Sequence, residues 1–129
     1  MIQSQFVYNI LDLLLDEDEG ENEIKARLQL EYLTENHYEY TGVGVFIGFV
    51  YDEGIEKHKV TEDKLILSGV EIKSDELEIG ADVHLFFTNG IIDFMEICSY
   101  DGVYPKSELK TYSLEQIWEG SSRKKITRN

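Results

Sequence analysis

The sequence predicts an α+β fold, with one or two N-terminal helices packed on one face of a mostly antiparallel sheet of about five to six strands. Three observations carry that expectation. Apolar residues within 4–16 recur at helical spacing, and several later stretches alternate apolar with polar residues at the period of a strand. Between two of those stretches, 77–88 and 91–100, stands Asn89-Gly90. This pair suits a two-residue type I′ turn, because both central positions need positive φ.

The first helix is expected over 4–16, where Phe6, Val7, Ile10, Leu11 and Leu14 form one stripe and Ser4 is placed to cap it. Leu13 and Leu15 widen the stripe. Asp16 to Glu23 is a run of seven charged or polar residues around Gly20 and reads as a solvated loop. Residues 22–32 alternate like a strand, yet they are built almost wholly from strong helix formers with acidic residues in front. Helix is therefore expected over about 22–31.

Tyr-rich Leu33–Tyr40 reads as a strand, followed by a bulge or tight turn at Thr41-Gly42 and a central strand over Val45–Tyr51. Glycine inside a strand, as at Gly44 and Gly48, signals a bulge or a close backbone approach. Residues 52–63 form a polar excursion with a weak strand at Lys57–Val60, and 65–73 is the next strand, interrupted at Ser68-Gly69. After the hairpin, an edge strand is expected over Leu109–Leu114, a short turn capped by Ser113 and Gln116, and a packing anchor at Trp118. Residues 1–119 form one domain and 120–129 a flexible basic tail.

An unbroken hairpin ladder has specific consequences. With Thr88 opposite Ile91, Phe87 faces Ile92, Phe86 faces Asp93, Leu85 faces Phe94, His84 faces Met95 and Val83 faces Glu96. Residues directly opposite share a face. One face then holds Val83, Leu85, Phe87, Ile92 and Phe94, with Glu96 at its end; the other holds His84, Phe86, Asp93, Met95 and Ile97.

The charge balance is strongly acidic: 26 Asp and Glu against 12 Lys and Arg, a formal −14. Arg123, Lys124, Lys125 and Arg128 lie in the last seven positions, so residues 1–119 hold 8 basic and all 26 acidic residues, a net of −18. Such a body repels nucleic acid and anionic membranes and attracts basic partners. A lone cysteine, Cys98, suits a reducing compartment, and neither a signal peptide nor a membrane span is apparent; a cytoplasmic location is expected.

Catalytic signals are sparse. A carboxylate on an apolar face is costly to bury unless hydrogen-bonded, and altered carboxylates often mark function, which singles out Glu96. His84 and Asp93 lie diagonally on the opposite face, with Tyr100 beyond, and these four define a hydrolase or ligand-pocket reading. His37, His58 and His84 lack the tight spacing of a metal site, and the glycines of 42–48 match no phosphate-binding motif, so neither metal nor cofactor is expected. Tyr38, Tyr40, Tyr100, Tyr104 and Tyr112 suggest an aromatic surface suited to protein recognition.

The stretches TGVGVFIGF (41–49) and LFFTNGIIDFMEICSYDGVYP (85–105) resemble a pattern in small uncharacterised bacterial α+β proteins. There a T-G-x-G-F-F strand precedes an apolar strand, a Gly turn and a segment ending M-L-E-x-x-x-Y-D. The likeness is carried by Thr41, Gly42, Gly44, Phe46, Gly90, Met95, Glu96, Tyr100 and Asp101. It departs at Val45, where the pattern has an aromatic, and at Ile97-Cys98, where it has Gly. The resemblance implies no activity. In size, acidity and layout the chain is also similar to immunity proteins that neutralise bacterial toxins. The −18 body and the lack of a catalytic constellation make the leading expectation a non-enzymatic binding protein, of immunity or inhibitor type, that captures a basic protein partner. Its contact surface would comprise Asp16, Glu17, Asp18 and Glu19 with Asp52, Glu53 and Glu56. Self-association through the hairpin's second face is a third reading.

Overall fold

A computed structural model describes residues 1–17 and 20–129. Ser4 caps helix α1 (Gln5–Leu14), its hydroxyl accepting from the Val7 N–H at 3.1 Å. Glu35 accepts from the Gln3 and Ser4 amides at 2.8 and 2.9 Å, which places a carboxylate at the positive end of the helix. The apolar stripe is almost wholly enclosed: Val7, Ile10 and Leu11 have no exposed surface. At about 1.5–3 kcal/mol per buried large aliphatic side chain, this stripe is a leading contributor to the core. Helix α2 (Glu21–Gln29) runs into a 3-10 turn over Leu30–Tyr32, so helix propensity prevails over the strand-like alternation there. Arg27 ties α2 to α1 through the Asp12 carboxylate at 2.5 Å.

Seven strands make one antiparallel sheet: β1 (Leu33–Tyr40), β2 (Gly44–Tyr51), β3 (Ile66–Lys73), β4 (Ala81–Thr88), β5 (Ile91–Ser99), β6 (Tyr112–Gln116) and β7 (Lys125–Arg128). Their order is β1-β2-β5-β4-β3-β6-β7. One face of this sheet and the two helices enclose a single apolar cluster. Gly44 is an obligate close approach, since a Cβ there would run into the Ile97 carbonyl oxygen.

The hairpin forms with Asn89 and Gly90 at φ 52° and 76°, but its ladder is not unbroken. Thr88 faces Ile91 and Phe87 faces Ile92; then a bulge at Asp93 shifts the register. Phe86 faces Phe94, Leu85 faces Met95, His84 faces Glu96 and Val83 faces Ile97. One extra residue reverses the side on which every later side chain points. Met95 and Ile97 therefore enter the core, while Phe94 and Glu96 turn to the other face. Leu85 and Phe94 lie on opposite sides, and Glu96 is not enclosed among apolar residues.

Four further expectations change. Residues 55–58 are a 3-10 turn, not a strand, because Gly54 takes a left-handed φ of 99° and Ile55 is buried with Val60 against the core side. The excursion thus leaves the sheet's other face uncovered. Strand β6 begins at Tyr112 and includes both Ser113 and Gln116, so no capped turn forms there. Nor is β6 an edge strand. Residues 125–128 pair with it as β7, so the sheet continues through the segment expected to be a flexible tail. This raises the strand count to seven.

Candidate functional site

Of the acidic residues expected to meet a partner, Asp16 and Glu17 are held by side chains of the 116–124 segment. The Asp16 carboxylate lies 2.8 Å from Lys124 Nζ and accepts from Gln116 Nε2 at 3.1 Å. The Lys124 hydrogen bond, aided by Gln116, holds its pKa below the usual carboxylate range. Glu17 accepts from the Trp118 indole N–H at 3.1 Å. Asp52, Glu53 and Glu56 are exposed after β2, beside the 3-10 turn. Strands β5, β4 and β3 separate β2, which precedes Asp52, from β6, whose Gln116 bonds Asp16. Asp18 and Glu19 lie outside the described residues.

The uncovered face is where unexplained chemistry accumulates. Cross-strand partners give one row as Glu39, Phe46, Glu96, His84 and Ser68, and a second as Cys98, Asp82, Glu71, Glu115 and Lys125. A third row carries Phe94, Phe86 and Ile66. Phe86 and Phe94 stack at 4.5 Å between centroids, and Phe46 tilts onto Phe94 at 6.2 Å. Ile66, at the end of the cluster, is 55% exposed. Asp82 faces Glu71 and Glu71 faces Glu115, a run of like charges set directly opposite one another. Such pairs cost stability in an antiparallel sheet.

The four residues of the hydrolase reading are divided by the bulge. Glu96 and His84 are neighbours on this open face. Asp93 sits at the hairpin tip, accepting from Thr88 Oγ1 at 2.7 Å. Tyr100 lies beyond β5 and donates to Glu71 Oε2 at 3.0 Å. Partial burial, reinforced by that carboxylate, pushes the Tyr100 phenol up to about 12. The carboxylate partner of His84 is Asp82, at 3.2 Å from Nε2, rather than Asp93. On its other side His84 Nδ1 is 2.6 Å from Ser68 Oγ. Ser68 and Asp82 are thus linked through one imidazole, an arrangement hidden from the sequence because β3 and β4 had no assigned register. Burial, with Glu96 and Asp82 nearby, raises the Cys98 thiol, which makes it a poor nucleophile.

The tyrosines do not form one surface. Tyr104 and Tyr112 are buried, whereas Tyr100 is exposed. Tyr38 and Tyr40 pack inward near Glu108, and the buried Tyr104 hydroxyl has no hydrogen-bond partner among the described residues. Among the described residues, no group of three or more His, Cys, Asp or Glu is arranged to hold a metal ion, and no helix is long and apolar enough to cross a membrane.

Two clefts meet at Trp118. One, of about 270 Å³, lies between the end of α1, the start of α2 and β3, and is lined by Leu15, Leu65 and Leu67 with Glu17, Glu23 and Glu62. Its neighbour shares Glu17 and Trp118 and contains Lys124. Comparison with known proteins supplies no relative: no family model, curated protein or solved structure matches the chain.

Proposed function

We propose that this is a non-enzymatic binding protein, of immunity or inhibitor type, that captures a basic protein partner on the uncovered face of its sheet. What supports this most is the pairing of Phe46, Phe86 and Phe94 with the carboxylates of Glu39, Glu96, Asp82 and Glu71 on that one face. Aromatic anchors supply desolvated contact area, the acidic surround steers a basic surface onto it, and lysine or arginine can also lie over the rings. A net charge of −14 strengthens the attraction. The exposed Asp52, Glu53 and Glu56 add to the long-range field, and Asp16, already engaged by Lys124, adds less.

Binding assays with basic candidate proteins, beginning with the product of the adjacent reading frame, test this. Capture should be strong at low salt, weaken at high salt, and fall about 30-fold in Phe86→Asp, a loss of about 2 kcal/mol at a central anchor. Absence of any basic partner at either salt concentration, or full capture by Phe86→Asp, overturns it. A dimeric solution mass lost in Phe86→Asp would instead favour self-association.

A hydrolase remains the second reading, because His84 hydrogen-bonds Ser68 through Nδ1 and has the Asp82 carboxylate 3.2 Å from Nε2. Ester hydrolysis that disappears in both Ser68→Ala and His84→Ala would establish it. Glu96 has no part in that arrangement.

A further inference from the structure

We propose that the cleft beside Trp118 is a receiving site for an arginine side chain. The proposal deepens the partner-capture reading and rests on it for the source of the arginine. At about 270 Å³, the cleft falls below the roughly 300–1,000 Å³ of pockets for drug-sized ligands, and its scale is that of one long side chain.

The chemistry of the lining selects the occupant. Leu65 and Leu67 offer apolar surface to a methylene stem, as a snorkelling basic side chain requires. Trp118 forms one wall, fixed in place because it lies against Gly69, where even a methyl group would come within 2.8 Å of the indole. Its N–H holds Glu17 at 3.1 Å, so one rim carboxylate is positioned before any ligand arrives. Glu23 and Glu62 add two more acids, and no basic residue is among the described lining residues. Lys124, in the adjoining cleft, is within 2.8 Å of Asp16. An apolar, tryptophan-walled cleft with three carboxylates repels anions and favours a cation that is partly apolar. Arginine suits it better than lysine. Its planar guanidinium is weakly hydrated, stacks on indole and can bind a carboxylate through two N–H groups. Ser68 also lines the cleft, and it bonds His84 on the uncovered face. The cleft and that face therefore meet at Ser68.

Trp118 is the only tryptophan, so its emission reports on this cleft and the one adjoining it, and Glu23 and Glu62, which line only this one, tell the two apart. The full chain is titrated with N-acetyl-arginine amide, and in parallel with the neutral isostere N-acetyl-citrulline amide, at constant ionic strength. The expected result is a saturable change with arginine in the millimolar range, at least about threefold tighter than with citrulline. The double variant Glu23→Gln/Glu62→Gln should weaken it about two- to fivefold, as for exposed ion pairs, with an unchanged unfolding midpoint. No saturation with arginine, equal responses to both amides, or indifference to the double variant would each overturn the assignment. Failure here is separable from failure of the wider reading. If a basic partner is captured while arginine leaves Trp118 unchanged, the cleft assignment falls alone. If arginine binds and Phe86→Asp retains that binding while no basic partner is found, the partner reading falls and the guanidinium site stands.

Discussion

Gln29→Leu is the sharpest test of how the helices are tied to the hairpin. The Gln29 side chain has no exposed surface. Its Nε2 donates to the carbonyls of His58 and Gly90, each at 2.9 Å, and its Oε1 accepts from the Ile92 N–H at 2.8 Å. One amide therefore joins α2, the 3-10 turn over Ile55–His58 and the β4–β5 turn. Leucine is close in size but can make none of these bonds. The Gly90 carbonyl keeps the Val60 N–H at 3.0 Å, whereas the Ile92 N–H and the His58 carbonyl lose the bonds from Gln29. Each unsatisfied buried group costs about 1–3 kcal/mol, and half-exposed His58 regains part of its share from water, so the net loss should be about 3 kcal/mol. Urea unfolding with an unchanged slope should show the midpoint falling by about 1–3 M. Leu28→Ala, one residue away and 43% exposed, serves as control and should shift stability by no more than about 0.5 kcal/mol. A Gln29→Leu midpoint equal to that control would refute the bridging role.

The bulge at Asp93 makes Met95→Ala cost about 3 kcal/mol and Phe94→Ala about 1 kcal/mol in urea unfolding, since Met95 is enclosed and Phe94 half-exposed; an unbroken ladder demands the reverse order. Gly44→Ala should cost about 3 kcal/mol or prevent folding, because the added methyl meets the Ile97 carbonyl, and a wild-type melting temperature would contradict that contact. Tyr104→Phe should leave stability equal or raise it by about 1 kcal/mol, as it removes a buried hydroxyl that has no partner among the described residues. Burial, aided by the Glu35 charge, pushes Tyr38 up from 10.0 to about 12, and burial raises Tyr104 too. Phenols that stay protonated longer in the folded chain stabilise it below pH 10 and lose that contribution as pH rises through about 12, so stability should hold to pH 9 and decline above pH 10. A flat profile to pH 12 would contradict it.

Local signals were legible where the chemistry is local. Ser4 as a cap, the stripe of α1, the Asn89-Gly90 turn and the close approach at Gly44 each follow from one residue's own conformational needs. The bulge was not legible, because Asp93 is as compatible with a ladder position as with an insertion. What decides is the burial of Met95 and Ile97 on a strand third from the edge of a sheet whose order alternation cannot specify. Gln29 and Gln116 show the same gap. Each looks like a surface residue of a helix or turn, yet each is fully buried and bonded to backbone distant in sequence. The Ser68–His84–Asp82 arrangement also needed the β3–β4 register before it existed. Burial of Tyr104 and Tyr112 was missed because a tyrosine pattern does not say which face it occupies.

The position of the C-terminal bases decides which carboxylates can steer a partner. As a free tail they would sweep over many acids; folded into β7 and its approach, they answer specific ones. Lys124 is 2.8 Å from Asp16, Arg123 is 4.0 Å from Glu115, and Lys125 stands across the ladder from Glu115. Within a Debye length of about 8 Å these pairs present little field. Glu71 differs: it faces carboxylates on both sides, Asp82 and Glu115, with the neutral Tyr100 hydroxyl donating to it. Retaining such repulsion makes sense if a basic surface relieves it. Glu71→Gln keeps an acceptor for Tyr100 while removing the charge, so it should leave the fold equal or about 0.5 kcal/mol more stable. In stopped-flow binding to the captured partner at low salt, it should slow association about two- to threefold and leave dissociation nearly unchanged, because a rim charge acts on encounter. Phe86→Asp, in contrast, should accelerate dissociation. If Glu71→Gln destabilises the fold by more than about 1 kcal/mol, the charge is structural. If it leaves association unchanged, this face does not receive the partner.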